Sequence, residues 1–181
     1  PDSKRIAYGH GLPGNQMERR LSIVNVETGT STPVVTTRGT QILPEFSPDG
    51  TQLLYQRAST EHSLDLYVTA PAAGATSVRL TDSMPAGLNT ADLTVPELVS
   101  YPSRVDAKPV PASLIVSKSI DRTKKHPAIV WIHGSGSDQN YLGWHPGLYR
   151  MYYAMHQYLA QQGYVILTPD YRGSSGYDRD W

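Results

Sequence analysis

Short apolar stretches separated by turn-forming residues fill the first 83 positions of the chain. Five of these stretches have the residue types that favour β-strands. They lie at residues 6–8, 21–26, 53–55, 64–68 and 77–81. Gly, Pro, Asn and Asp stand between them, which is typical of antiparallel hairpins. The pattern predicts that residues 1–83 form a strand-rich unit.

This strand-rich part contains an internal repeat. Residues 1–8 align with 48–55, and residues 21–24 align with 64–67. A repeat in the mid-forties with about four strands per unit is the spacing of β-propeller blades. The turn Ser47-Pro48-Asp49-Gly50 is expected to be tight, because Pro fixes φ, Asp bonds its own backbone and Gly adopts positive φ. In the first copy Ser3 stands where this glycine is expected.

The pattern changes after Thr81. Residues 84–93 have turn composition, and we interpret them as a crossover to a second unit at 94–181. Residues 96–101 and 110–116 flank a turn and predict a hairpin. Two apolar runs, 128–132 and 164–169, predict strands that are buried on both faces and pair in parallel, with a right-handed crossover. The helical face between them, closed by Gly163, consists of Tyr149, Tyr152, Met155, His156 and Leu159.

The most informative motif is His133-Gly134-Ser135, followed by Gly136 and Ser137, directly after the 128–132 strand. A glycine-containing loop at a strand end can present backbone N–H groups to the oxyanion of acyl transfer. We therefore interpret His133, Gly134 and Ser135 as an oxyanion loop. The alternative is a plain strand-to-helix turn with solvated serines.

A second polar loop, residues 170–177, follows the 164–169 strand. A phosphate-binding loop is one interpretation, but Asp170 at the strand end disfavours an anionic ligand. The sequence favours a structural turn in which Arg172 bonds carbonyls or a carboxylate. The six histidines lack zinc-site spacing. We expect His156 to be a satisfied core residue and His145 to lie in a surface loop, with the border of the cleft as the alternative for His145. We expect the tyrosines at 149, 152, 153 and 158 to serve in packing, with a binding site as the alternative.

The composition excludes several kinds of site and disfavours some classes of partner. Sixteen basic residues balance sixteen acidic ones, so a nucleic-acid partner is not indicated. The chain has no cysteine, which excludes disulfides, thiolate metal sites and cysteine nucleophiles but leaves periplasmic, secreted and cytoplasmic locations open. No apolar run reaches the roughly 18 residues of a membrane span. No metal or other cofactor is implied. Because the chain starts without an initiator methionine or signal peptide, we expect an internal fragment of a longer protein.

Taken together, the Ser47–Gly50 repeat, His133-Gly134 and the 171–177 loop resemble the prolyl oligopeptidase family of serine peptidases. The dipeptidyl-peptidase IV and acylaminoacyl-peptidase branches are the most similar. The resemblance implies the C-terminal part of a β-propeller, about one to two blades, followed by the start of an α/β-hydrolase fold. The acylaminoacyl branch usually has H-G-G-P in the first loop, whereas Ser135 and Gly136 occupy its last two positions here.

The resemblance also implies a function. In the family a Ser-His-Asp triad cleaves peptides while the propeller limits substrate size. No G-x-S-x-G motif occurs in the chain, so all three triad residues are expected beyond Trp181. The chain alone is then expected to be inactive, and also to fold poorly, because the 128–132 and 164–169 strands would lack sheet neighbours. A binding module with a degenerate hydrolase tail and an esterase on the same fold are the alternatives.

Overall fold

The computed structural model describes residues 3–135, 138–147, 149–179 and 181, and these form two sheets in sequence. The first sheet comprises β1 (Arg5–Leu12), β2 (Asn15–Asn25), β3 (Ser31–Val35), β4 (Thr40–Phe46), β5 (Leu53–Ala58), β6 (Asp65–Thr69) and β7 (Val78–Arg79). A 3-10 turn follows at Thr90–Asp92. The second sheet and its helix comprise β8 (Glu97–Pro102), β9 (Pro109–Ile115), β10 (Ala128–Val130), α1 (Arg150–Gln161) and β11 (Val165–Pro169). No helix in this described part has the length and apolar character needed to cross a bilayer.

The first sheet consists of two antiparallel units. One contains β1, β2 and β3, and the other contains β4 to β7. A single parallel pair, Arg19 with Thr40, joins them. The sequence repeat aligns β1 with β5 and β2 with β6, so each repeated segment forms a strand in both units. The predicted strands are confirmed, whereas β3 and β4 were not predicted.

The Ser47–Gly50 turn has the predicted geometry. The Gly50 N–H donates to the Ser47 carbonyl at 2.8 Å, and the Thr51 N–H donates to Asp49 Oδ1 at 3.0 Å. Gly50 adopts φ +70°, and Ser3, at the equivalent position of the first copy, adopts φ +56°. Pro1 and Asp2 of that copy lie outside the described residues. Hydrogen bonds from the hydroxyl of Ser47 and from Thr51 lower the pKa of Asp49.

Apolar side chains from both units form the core of the first sheet. Tyr55 and Tyr67 stack within it, with ring centroids 5.5 Å apart. The other buried members are Leu21, Ile23, Val34, Val35 and Leu53. Leu21 and Ile23 of β2 and Leu53 and Tyr55 of β5 alternate along their strands and so share one buried face, whereas Val34 and Val35 of β3 are consecutive and both buried.

The second sheet has the order β10-β11-β9-β8. β10 and β11 are parallel, and the other two pairs are antiparallel. The predicted hairpin, helix and parallel pair are therefore confirmed, and Gly163 ends the helix at φ +91°. Helix α1 packs on β9 and β11 around Ile115, Tyr153 and Ile166, and Ala58 of the first sheet joins the same core.

Two expectations for these strands are wrong in part. β10 ends at Val130 and is not buried on both faces, since Val130 is 58% and Ile132 60% exposed. The physical reason is that β10 pairs only with β11 among the described residues, so it is an edge strand. β11 in contrast pairs on both sides, with β10 and β9, so the expected lack of sheet neighbours holds for β10 and is wrong for β11.

Candidate functional site

The candidate site lies where β10 and β11 end. Because these strands are parallel, the loops that follow them meet at the same edge of the sheet, where α/β proteins place ligands. One loop starts with His133, Gly134 and Ser135, which we call the corner. The other loop spans residues 170–177. Gly136 and Ser137 of the predicted oxyanion motif lie outside the described residues.

His133 joins the two loops from inside the protein. Its side chain is fully buried, and its Nε2 lies 2.8 Å from the hydroxyl of Ser174 and 3.7 Å from Asp170 Oδ1. The ring stacks on Tyr171 at 4.4 Å between centroids, and the Tyr171 hydroxyl donates to the His133 carbonyl at 3.0 Å. His133 therefore fixes the corner to the second loop.

Asp170 is the fully buried centre of this second loop. Its carboxylate accepts the Asn140 N–H at 2.7 Å and the Tyr177 hydroxyl at 2.7 Å. Burial raises the pKa of Asp170, and these hydrogen bonds oppose the shift only in part. Burial, together with the neighbouring Asp170 charge, raises the pKa of Tyr177.

Ser174, His133 and Asp170 do not have the arrangement of a nucleophilic triad. In a triad the serine and the aspartate contact opposite ring nitrogens of the histidine. Here both approach Nε2, while Nδ1 lies 3.0 Å from the Gly134 carbonyl. The Ser174 hydroxyl is buried and donates to the Tyr171 carbonyl at 2.6 Å. The three side chains therefore form a structural network.

The corner itself carries two distinct backbone amides. The Gly134 N–H donates to the Tyr149 hydroxyl at 2.9 Å and is thus already bonded. The expectation that Gly134 offers a vacant oxyanion donor is corrected by this contact. The Ser135 N–H has no acceptor among the described residues, and Ser135 adopts φ +70°. A positive φ in a non-glycine residue costs about 1–2 kcal/mol and commonly marks a functional turn.

A cavity of about 30 Å³ lies behind the corner, which is room for one or two water molecules. Aromatic rings form much of its wall: Trp131, Tyr141, Tyr149, Tyr152, Tyr153, His145 and His156. The prediction that tyrosines pack is confirmed for Tyr149, Tyr152 and Tyr153, whereas Tyr158 is 61% exposed.

The two histidines of this cavity differ from expectation. His145 is buried and not in a surface loop, because its ring packs edge-on against Tyr141 and Tyr149. Burial lowers the pKa of His145, and nearby Asp138 opposes the shift. His156 is a core residue as predicted but is not satisfied, since its buried Nε2 has no hydrogen-bond partner within the described residues. Burial lowers the pKa of His156 to about 4.

Arg172 behaves as the structural interpretation of its loop predicts. Its guanidinium pairs with the Asp106 carboxylate in the turn between β8 and β9, and this contact lowers the pKa of Asp106. Among the described residues no cluster of three His, Asp or Glu side chains has metal-binding geometry.

Sequence reasoning missed three residues that shape the corner. Tyr149 was assigned to packing only, and Gln139 and Asn140 were not singled out. Gln139 is fully buried and Asn140 nearly so, and both make several hydrogen bonds. Two consecutive amide side chains in a loop between apolar elements carry no period or motif, so no local signal distinguishes them from solvated loop residues.

Comparison with known structures identifies the fold. No protein-family model matches the chain. A Mycobacterium tuberculosis puromycin-hydrolyzing peptidase is similar at TM-score 0.77 and 16% identity, over 99% of this chain and 26% of that one. Porphyromonas gingivalis dipeptidyl peptidase 4 is similar at TM-score 0.69 and 18% identity, over 96% and 24%. Pyrococcus horikoshii acylaminoacyl peptidase is similar at 0.68 and 18%, over 97% and 25%.

The fold is that of a stretch of a peptidase. These similar structures are all peptidases of the prolyl oligopeptidase family, and they match nearly the whole of this chain. The resemblance stated from the sequence is thereby confirmed at the level of the fold. The chain spans about a quarter of the length of the solved structures that it matches.

Proposed function

We propose that this chain is part of a serine peptidase of the prolyl oligopeptidase family that hydrolyses short peptides. In this proposal residues 1–83 are propeller blades, residues 84–93 cross over, and residues 94–181 begin the α/β-hydrolase domain. Two repeated antiparallel units followed by a sheet of order β10-β11-β9-β8 support the assignment. The fold similarity to three peptidases supports it independently.

The corner after β10 is the observation that carries the proposal. An acyl-transfer transition state develops negative charge on the carbonyl oxygen, and positioned N–H and O–H donors stabilise that charge. The Ser135 N–H and the Tyr149 hydroxyl hydrogen have no acceptor among the described residues. The Tyr149 oxygen is held by the Gly134 N–H at 2.9 Å. We assign the Ser135 N–H and the Tyr149 hydroxyl as oxyanion donors, with Gly134 orienting the phenol.

In this proposal the nucleophile and the groups that transfer protons are residues of a longer protein of which this chain is part. A serine hydroxyl attacks the peptide carbonyl carbon and passes its proton to a histidine, which returns the proton to the leaving amine. Water then hydrolyses the acyl-enzyme by the same proton transfers. The serine, the histidine and its orienting aspartate are proposed to lie beyond Trp181, so the chain alone is proposed to be inactive.

Access of substrate is the proposed task of the propeller. A wall of blades over the hydrolase sheet admits only peptides small enough to pass. The first sheet packs closely on residues 138–147, where the Leu142 N–H donates to the Met17 carbonyl at 2.9 Å, and this packing supports the role. Peptide substrates are thus favoured over the larger or more apolar substrates of esterases on related folds.

Labelling of the full-length protein with a fluorophosphonate probe tests the proposal. We expect one labelled serine, located outside this chain, and faster turnover of a peptide anilide than of a nitrophenyl ester. Ser135→Ala is the matched control and should leave labelling intact, because Ser135 contributes its backbone amide. Failure of the full-length protein to label would favour a binding module with a degenerate hydrolase tail. Turnover of the ester alone would favour an esterase.

A further inference from the structure

The first sheet makes several hydrogen bonds to the segment that follows the corner. We call the contacts between residues 138–147 and the first sheet the seam. The Leu142 N–H donates to the Met17 carbonyl at 2.9 Å, and the Trp144 N–H donates to the Ser59 carbonyl at 2.9 Å. The Tyr153 hydroxyl donates to the Thr60 carbonyl at 3.2 Å. Backbone groups on both sides are therefore held in register.

Gln139 is the most buried side chain of the seam, with no exposed surface. Its Nε2 donates to the Gln16 carbonyl at 2.8 Å, and its Oε1 accepts from the Arg19 guanidinium. The Arg19 guanidinium also lies 5.6 Å from the centre of the Tyr141 ring. A buried amide that satisfies both of its ends has one stable orientation, because rotating it would orphan a donor or an acceptor.

Arg19 also reaches the loop after β11. A Cβ built on Gly176 would lie 3.1 Å from an Arg19 guanidinium nitrogen and against the Gln139 amide. The Ser175 N–H donates to the Asp138 carbonyl at 3.0 Å. One arginine of β2 therefore contacts the segment that follows β10 and lies close to the loop that follows β11.

Hydrogen bonds link Asn140, next to Gln139, to the end of β11, and a longer polar contact reaches the corner. The next residue, Asn140, donates its N–H to Asp170 Oδ1 at 2.7 Å and its Nδ2 to the Pro169 carbonyl at 2.9 Å. Asp170 lies 3.7 Å from His133 Nε2, and His133 precedes Gly134 in the corner. Every side chain in this path is buried and therefore has few alternative conformations.

We propose that Arg19 and Gln139 are positioning residues through which the first sheet sets the geometry of the oxyanion corner. The inference rests on the proposed peptidase function. The propeller then acts on the rate of the chemical step as well as on substrate entry. Displacing a donor by about 1 Å can cost on the order of a hundredfold in rate, even when the change is distant.

A double-mutant cycle in the full-length protein tests this inference. Arg19→Met, Gln139→Met and the double variant are compared for kcat and KM on a peptide anilide and for hydrogen exchange of peptides covering 132–142. We expect each single change to lower kcat about ten- to hundredfold with KM little changed. Exchange over 132–142 should accelerate by a similar factor. The kcat of the double variant should be no lower than that of the more impaired single variant, because both substitutions remove the same Arg19–Gln139 contact.

Arg104→Met is the matched control, since Arg104 is an exposed arginine of the β8–β9 turn. It should leave kcat and exchange unchanged. Arg19→Lys, which keeps the charge and a donor, should recover part of kcat and serves as the test if Arg19→Met does not fold. Unchanged kcat and exchange in the Arg19 variants, or full additivity in the double variant, overturns the inference alone. Absence of fluorophosphonate labelling in the wild-type protein overturns the proposed function and this inference with it.

Discussion

The hydroxyl of Tyr149 accepts the amide hydrogen of Gly134 at 2.9 Å. A side chain at position 134 would prevent this approach, because a Cβ built there would lie 2.8 Å from the phenol oxygen. The ring of Tyr149 is held by edge contacts with Trp131 and His145, at centroid distances of 6.1 and 5.2 Å. The aromatic cluster and the glycine thus place one hydroxyl against the backbone of the corner.

Tyr149→Phe is expected to lower kcat of the full-length protein by a factor on the order of 10²–10³, the usual effect of losing one oxyanion donor. KM should change little, since the oxyanion forms only in the transition state. The ring and its packing are retained in phenylalanine, so the thermal midpoint should hardly move. Steady-state kinetics on a peptide anilide measure the effect.

Tyr158→Phe is the control for this prediction, because Tyr158 lies on helix α1, which starts directly after Tyr149, and is 61% exposed. It should keep wild-type kcat. A rise in kcat on Tyr149→Phe would mean that the phenol blocks the Gly134 amide instead of donating, and would contradict the assignment of Tyr149.

Protonation of His156 is expected to destabilise the protein in mild acid. Burial lowers the pKa of His156 from 6.5 to about 4. Between these values the unfolded chain binds a proton that the folded chain does not, so the free energy of unfolding falls as the pH falls from 6.5 to 4. The loss from this group is on the order of 3 kcal/mol. Urea unfolding at a series of pH values measures it.

His156→Phe should flatten this pH dependence while keeping stability at pH 7, since a phenyl ring keeps the contact with Trp131 and leaves no unpaired nitrogen. An unchanged slope in His156→Phe would show that other groups cause the acid sensitivity.

The strands and the helix could be predicted because their signals are local. The strand-favouring residues of β1, β2, β5 and β6, the turn-forming residues of Ser47–Gly50 and the 3.6-residue period before Gly163 each act within a few residues. The strands β3 and β4 escaped prediction for the same reason. Pro33 in β3 and Pro44 in β4 suggest turns locally, whereas Pro33 pairs with Ser22 of β2 and Pro44 lies in an irregularity of the β4–β5 pairing, next to Leu43 at φ +49°.

The site was predictable in position but not in detail. The strand followed by His133-Gly134-Ser135 located the corner, yet the sequence could not reveal that Tyr149, fifteen residues later, bonds the Gly134 amide. Likewise Gln139 meets Gln16 across a separation of 123 residues. Such contacts depend on how two sheets pack, and no local period encodes that.

Asp65→Ala is expected to destabilise the protein by about 1–3 kcal/mol, because it leaves the Thr81 hydroxyl and the Ser83 N–H without their buried acceptor. The Asp65 side chain is fully buried, lies 3.0 Å from the Arg79 guanidinium and accepts the Thr81 hydroxyl at 2.8 Å. Asp82 contacts the same guanidinium with 72% of its side chain exposed. Asp82→Ala should therefore cost less than about 1 kcal/mol. Equal losses in urea unfolding would contradict this ranking by burial.

Gly143→Ala is expected to weaken the seam, the contacts between residues 138–147 and the first sheet. Gly143 adopts φ +109°, and a Cβ there would lie 2.6 Å from the Thr60 amide nitrogen and against the Ser59 carbonyl. Backbone strain and overpacking together should cost about 2–4 kcal/mol. Gly87→Ala is the matched control, because Gly87 has φ +85° with open space around its Cβ position, and it should cost only about 1 kcal/mol. Urea unfolding with hydrogen exchange over residues 138–147 measures both. If the two alanine variants lose the same stability and exchange alike, the close approach at Ser59 does not hold the seam.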